Sequence, residues 1–283
     1  MYDITRIMTL AAFQEDAVSF FQDAYQNVMD AAKELYLDAV EQYWQTYRCE
    51  EALDAISAKT GLHRYSVDML LLLGACCKLE QCYREKGYSH ELFCEMLFDL
   101  RSKLDECLTV YGIYGTFVLL WFDGFFSCNR FKLGRLQYET VVLEQDFPGL
   151  VSAGTTVLNC HIPSGLPLAM EDVMDSFAQA YRFYGYSGTM IVMCASWLLY
   201  PPHYPLFPEG SNLQKFYRLF QLGETEDYGC IHDGWRIFGT MDEDPAKWPQ
   251  NSGLQKNFCR YFKDGNTMGY GRGFYFYTPK ERC

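Results

Sequence analysis

The stretch TTVLNCHIPSGLPLAMEDVMDSFAQAYRFYGYSGTMIVMCASWLL, residues 155–199, decides the fold. Thr155 to His161 is a short β-branched and apolar run that stops before Pro163 and Gly165, which reads as a strand. Met170 to Tyr184 carries apolar side chains at helical spacing, and Thr189 to Leu198 is a second apolar strand. Strand, helix and strand in that order make a β-α-β crossover, which places its strands parallel. If the two strands are neighbours, His161 and Ser196 both lie near C-terminal strand ends, the side on which ligands bind in such units.

Working upstream, GRLQYETVVLEQ (134–145) alternates as a strand, Leu133 to Leu143, with Arg135, Gln137, Glu139, Val141 and Leu143 on one face. That face begins polar and finishes apolar, as either an exposed sheet edge or a polar-lined cleft would. Downstream, the strand ending at Ser196 and Trp197 breaks at Pro201 and Pro202. Further strands are expected at Ile113 to Phe122, Cys230 to Phe238 and Arg272 to Thr278. Helices are expected at Asn212 to Leu222 and Leu254 to Lys263.

Residues 1–110 have a different character. Phe13, Ala17, Phe20, Ala24, Val28, Ala31 and Leu35 form one stripe of a long amphipathic helix or two, spanning Ala11 to Arg48. Further helices follow at Glu51 to Lys59, at Ser66 to Arg84 before Gly87, and from the cap Ser89 to Leu108 before Gly112. The expected fold class is α+β. An all-helical domain, 1–110, precedes a mixed α/β domain, 111–283, with a central, partly parallel sheet.

The formal net charge of -12 argues against a nucleic-acid partner, which calls for a clustered basic surface. Residues 1–110 hold 10 Lys and Arg against 19 Asp and Glu, a balance of -9, which leaves 14 against 17, or -3, for the rest. A small anionic ligand is therefore better tolerated by the second domain. No apolar run has the length of a membrane span, and the N-terminus shows no secretory leader pattern, so a cytoplasmic location is the expectation. The twelve cysteines include no CxxC pair and read as reduced thiols, with no metal site expected.

Several chemistries are disfavoured by pattern. Neither Ser196 nor Ser164 sits in a GxSxG elbow, so neither reads as a hydrolase nucleophile. Cys160 points away from His161 by strand alternation, and Cys194 has no activating partner in the sequence. Gly269, Gly271 and Gly273 precede a strand instead of joining a strand to a helix, so they read as a turn into that last strand rather than as a dinucleotide or P-loop motif. His161, fixed at a strand end beside Pro163, suits a general base.

Five ordered segments carry a family resemblance: GRLQYE (134–139), CHIPSGLPL (160–168), SWLLYPP (196–202), SNLQKF (211–216) and LQKNFCRYFKDGNTMGYGRG (254–273). In them the chain resembles bacterial acyltransferase-domain proteins that join an N-terminal helical N-acyltransferase domain to a GNAT-like C-terminal domain. By motif the resemblance spans about residues 110–278, and the helical half agrees in type. It implies a fold in which acyl-CoA, as co-substrate, enters between two splayed parallel strands and its thioester meets an amine acceptor. The catalytic candidates are His161 or Glu139 as base and Ser196 as a hydrogen-bonding group. The substrate-binding candidates are Arg135, Gln137, Ser164, Gly165, Asn212 and Trp197, the last lining the acyl channel. The sequence departs from ordinary GNAT enzymes in the loop HIPSGLPLAMED, which lacks the Q/R-x-x-G-x-G/A pattern that binds pyrophosphate. It also places Glu171 and Asp172 at the start of the following helix, where they would repel a phosphate. The competing reading is a non-catalytic protein that keeps the fold and binds a small ligand. A further reading makes the acidic helical half a docking surface for a protein partner.

Overall fold

A computed structural model of the chain describes residues 2–279. The chain divides into two compact units, Met1–Phe131 and Lys132–Cys283.

The first unit is helical: α1 (Ile4–Leu10), α2 (Glu15–Ala31), α3 (Lys33–Thr46), α4 (Glu50–Thr60), α5 (Arg64–Glu85), α6 (His90–Tyr111) and the single turn α7 (Asp123–Phe126). Its centre is α5, whose residues from Ser66 to Cys76 are all buried, because the run MLLLLGACC is apolar on every side. The Tyr36 hydroxyl reaches into this helix and donates to the Leu70 carbonyl at 2.8 Å. Ser89 caps α6 through the Leu92 amide at 3.1 Å, and Gly61 and Gly112 end α4 and α6 in the left-handed conformation that glycine adopts without strain.

The strand expected at Ile113 to Phe122 does not form. That segment is irregular and ends in a 3-10 turn, Leu119–Phe122. It is held to the start of α5, with the Thr116 amide bonded to the Tyr65 carbonyl at 3.0 Å and the Ser66 hydroxyl to the Tyr114 carbonyl at 2.7 Å. Its aromatic residues, and the buried Phe125 and Phe126 beyond them, therefore serve the helical core.

The second unit is built on a six-stranded sheet of order β1-β2-β3-β4-β6-β5. Its strands are β1 (Arg130–Leu133), β2 (Leu136–Val142), β3 (Thr156–His161), β4 (Met190–Ser196), β5 (Gln221–Asp227) and β6 (Gly269–Tyr277). Its helices are α8 (Met170–Phe183), α9 (Asn212–Tyr217), α10 (Trp235–Phe238) and α11 (Gly253–Lys263). The β3-α8-β4 crossover is present and its strands are parallel, while the β2–β3, β4–β6 and β5–β6 pairings are antiparallel. Both β4 and β5 run opposite to β6, so β3, β4 and β5 present their C-terminal ends at one sheet edge.

Helix α8 covers one face through Val173, Phe177 and Ala180, all fully buried. Phe177 stacks on Tyr275 at 5.1 Å and touches Tyr138 and Tyr277. Ser176 ties the same helix to the sheet, accepting from the Leu136 amide and donating to the Leu133 carbonyl. On the opposite face, Leu143, Val157, Met193 and Phe274 pack under the arm that carries Phe147 and Val151.

Two expected elements differ from the structure here. Cys230 to Phe238 is a pair of short helical turns, not a strand, and the helix expected to run to Leu222 ends at Tyr217 and gives way to β5. In β5 the sequence QLGETED has no apolar alternation because it is an edge strand with both faces largely open.

Candidate active site

The register of β2 against β3 pairs Gln137 with His161 and Glu139 with Asn159. These four side chains therefore share one face of the sheet, the face opposite α8. His161 Nε2 lies 2.7 Å from Glu139 Oε1, and Asn159 Nδ2 donates to the same carboxylate oxygen at 3.0 Å. Asn159 Nδ2 also lies 3.2 Å from His161 Nε2, closing a triangle of His, Glu and Asn. The side chains of His161 and Glu139 are only 20% and 14% exposed, so their interaction is partly shielded from water. Gln137 is fully buried below them.

Beside this triangle the sheet opens. The registered pairs between β3 and β4 are Leu158 with Val192 and Asn159 with Met193. Beyond them β3 continues to His161 and β4 to Ser196 without further registered pairs, although β4 stays paired to β6 as far as Ser196. This unregistered stretch forms a notch between the parallel strand ends, bordered by the backbones of β3 up to His161 and of β4 from Cys194 to Ser196. Ala195, on an interior strand and on the same face as His161, is exposed, so this part of the sheet face lies open.

Ser196 does not join the triangle. It lies three residues beyond Met193, which puts its side chain on the α8 face, and its hydroxyl accepts from the Leu198 amide at 3.2 Å to start the turn Trp197–Leu199. Gly271 is the position that lets this turn sit against β6, since a Cβ there would lie 2.1 Å from the Leu199 carbonyl oxygen. Trp197 packs edge-on against Phe258 at 5.7 Å and Phe207 at 6.0 Å, beside His203.

His203 is fully buried and hydrogen-bonded through Nδ1 with the Trp197 carbonyl at 2.9 Å. Burial holds its imidazole pKa below the ordinary value, against the smaller opposing effect of that carbonyl. The unfolded chain takes up this proton near pH 6.5 and the folded chain only at lower pH, so stability is full above about 6.5 and falls as the pH drops below it. Thermal unfolding of His203→Asn between pH 7 and pH 5 is expected to show a shallower loss of Tm than the parent; an identical pH slope would remove His203 from the account.

The remaining sequence candidates are dispersed. Arg135, 7% exposed, donates through Nε to the Pro167 carbonyl and through Nη2 to the Leu166 carbonyl, both at 2.8 Å. It thus fixes the loop that leads into α8, and burial lowers its pKa. Ser164 and Gly165 are exposed in that loop, with Gly165 at φ +87°. Ala169 precedes helix α8 and offers no side-chain cap, and Glu171 and Asp172 lie in the first turn. Asn212 is the first residue of α9, next to the cap Ser211, and is partly buried. Cys160 lies on the α8 face, and burial pushes its thiol well above the ordinary value, which suits core packing and not nucleophilic attack. No cluster with metal-ligand character occurs among the described residues.

Sequence reasoning missed Asn159, Arg272, Glu224 and Tyr270. For Asn159 the signal was present, because TVLNCH places it two residues from His161 on the same strand face. Arg272 lies opposite Ala195, with its Nη1 3.0 Å from Glu224 Oε1. Gln145 donates to Glu224 Oε2 at 2.7 Å and the Tyr270 hydroxyl to Oε1 at 3.2 Å.

The family model of the GNAT-like C-terminal domain matches residues 131–275, and that of the N-acyltransferase N-terminal domain matches residues 3–128. Among solved structures, an acyltransferase in complex with decanoyl-CoA and teicoplanin shares the fold with a TM-score of 0.73 at 17% identity, covering 96% of this chain and 86% of that one. An acyltransferase mutant in complex with octanoyl-CoA gives a TM-score of 0.74 at 17% identity, covering 96% and 87%. An acyltransferase in complex with CoA and 10C-teicoplanin gives 0.69 at 16% identity, covering 97% and 99%. No curated protein matches the chain. Among the described residues no helix is long and apolar enough to cross a membrane.

Proposed function

Because the chain belongs to the family that joins an N-acyltransferase N-terminal domain to a GNAT-like C-terminal domain, we propose that it transfers an acyl group from acyl-CoA to an amine at the notch between β3 and β4. The observation that carries this reading is the His161–Glu139–Asn159 triangle set beside strand ends that stop pairing. The fold is shared with acyltransferases bound to acyl-CoA, which supports the donor class.

In this reading the acyl-pantetheine arm lies in the notch, where the backbone of Cys194–Ser196 has no registered partner on β3. His161 accepts a proton from the acceptor ammonium, and Glu139 holds the imidazole and stabilises its charged form. The amine nitrogen then attacks the thioester carbon, forming the C–N bond, while backbone amides of β4 stabilise the oxyanion. The C–S bond breaks, the nitrogen loses its second proton, and the thiolate takes up a proton to leave as CoA thiol. Asn159 keeps Glu139 oriented.

Pyrophosphate recognition needs another device than the usual loop. The uncapped start of α8 offers backbone amides, but Glu171 and Asp172 occupy its first turn. That observation favours, as the second reading, a protein that binds its ligand without turning it over. Mixing short- and long-chain acyl-CoAs with a panel of amines and following CoA thiol release separates the two: amine-dependent release supports transfer, and binding without release supports the second reading. In the active case Glu139→Gln is expected to lower the rate by about 10- to 100-fold. A near-parental rate would show that Glu139 does not act through His161.

A further inference from the structure

On the open sheet face, the groove over Ala195 has two walls. One is the triangle of His161, Glu139 and Asn159 on β2 and β3. The other is Arg272 on β6 with Glu224 on β5. The walls are carried by strands two spacings apart, about 10 Å between backbones, and side chains reach in from both. The space above Ala195 is therefore the width of a small acceptor. Arg272 and Glu224 side chains are 27% and 31% exposed, so solvent reaches this wall.

The two charged groups of the second wall differ in what they still need. Glu224 is well supplied with donors, from Gln145, Tyr270 and Arg272. Arg272 is not equally supplied with acceptors. Its Nη1 meets Glu224 and its plane lies over the Phe147 ring at 5.6 Å, but its Nε is buried without a hydrogen-bond partner. A guanidinium presents five donors in a planar fork and grips a carboxylate along one edge. The Nε edge is the one that Glu224 leaves unused.

We infer that the acyl acceptor carries a carboxylate close to its amine, as an α-amino acid does, with the carboxylate held by Arg272 and the amine directed to His161 across Ala195. The inference rests on the acyl-transfer reading for the role of the amine, but recognition of the carboxylate has its own test. Glu224 acts as a positioning residue: it sets the plane of the guanidinium and limits how strongly it attracts an anion. An acceptor that is a plain amine would leave Arg272 unused.

The test is calorimetric titration of the full chain, with CoA present, by a panel of α-amino acids, each compared with the amine that lacks its carboxylate. At least one amino acid is expected to bind about tenfold more tightly than its amine, the effect of one charge-assisted pair. That preference is expected to vanish in Arg272→Gln, and Glu224→Gln is expected to strengthen it. Arg272→Lys, which keeps the charge but not the fork, should retain only part of it and serves if the Gln variant does not fold. Absence of any preference in the parent, or a preference that survives in a folded Arg272 variant, overturns the inference. Failure of the acyl-transfer reading is seen separately, as the lack of CoA thiol release with every amine, with or without a carboxylate.

Discussion

Replacing His161 by Ala is expected to lower acyl transfer by about 10²–10⁴-fold, the range attributable to a positioned general base, with little change in the affinity for acyl-CoA. The ring sits at the strand end, partly exposed, on the sheet face opposite α8, and it meets Glu139 and Asn159 there. Its loss should therefore cost chemistry more than stability. His161→Gln provides the control, because an amide can still hydrogen-bond to Glu139 but cannot carry the proton. Both variants should lose activity to a similar degree while keeping Tm close to the parent. Near-parental turnover in either one would assign the proton transfer to another group.

The largest structural effect is expected at Phe177. It is fully buried in α8 and packs against Tyr138, Tyr275 and Tyr277 of β2 and β6. Truncating a buried Phe to Ala removes its transfer free energy and leaves a cavity, together about 3–5 kcal/mol. For a unit of this size that lowers Tm by on the order of 10 °C. Since α8 forms the crossover between β3 and β4, loosening it should also blur the notch, and transfer activity should fall at temperatures below the main unfolding step. A loss under about 1 kcal/mol would mean that the three tyrosines close over the gap.

How far these features could be read from sequence depends on which force fixes each one. The crossover was legible because β3, α8 and β4 each satisfy their own periodicity and end at Pro, Gly or a polar cluster. The polar face of β2 was legible for the same reason: alternation alone places Gln137 and Glu139 together, and the antiparallel register then brings His161 to them. Ser196 shows the limit of that reasoning. Proximity to a strand end says nothing about phase, and the parallel register that pairs Asn159 with Met193 turns Ser196 to the other face.

Elements that depend on distant partners were not legible. The aromatic run after Ile113 has β-forming residues, yet it is held by Tyr65 and Ser66 of α5 and packs with the helices. The turns at Ile231 to Phe238 carry β-branched and aromatic residues that α11 and Trp248 recruit, with Phe238 stacked on Trp248 at 4.5 Å. Strand β5 lacks any pattern because its hydrogen bonds come from β6, and because Gly223 must pass close to Phe147, where a Cβ would lie 2.7 Å from the ring. Arg272 was overlooked amid three glycines that the sequence presents as a turn and the structure pairs within β6.

The most direct test of the central claim is amide hydrogen exchange of the full chain with and without octanoyl-CoA. The claim predicts slower exchange at the strand ends that border the notch, in peptides covering Cys160–Ile162 and Cys194–Trp197, with little change in peptides from the far end of the sheet. Unchanged exchange at both strand ends under saturating acyl-CoA, or protection confined to other segments, would contradict it.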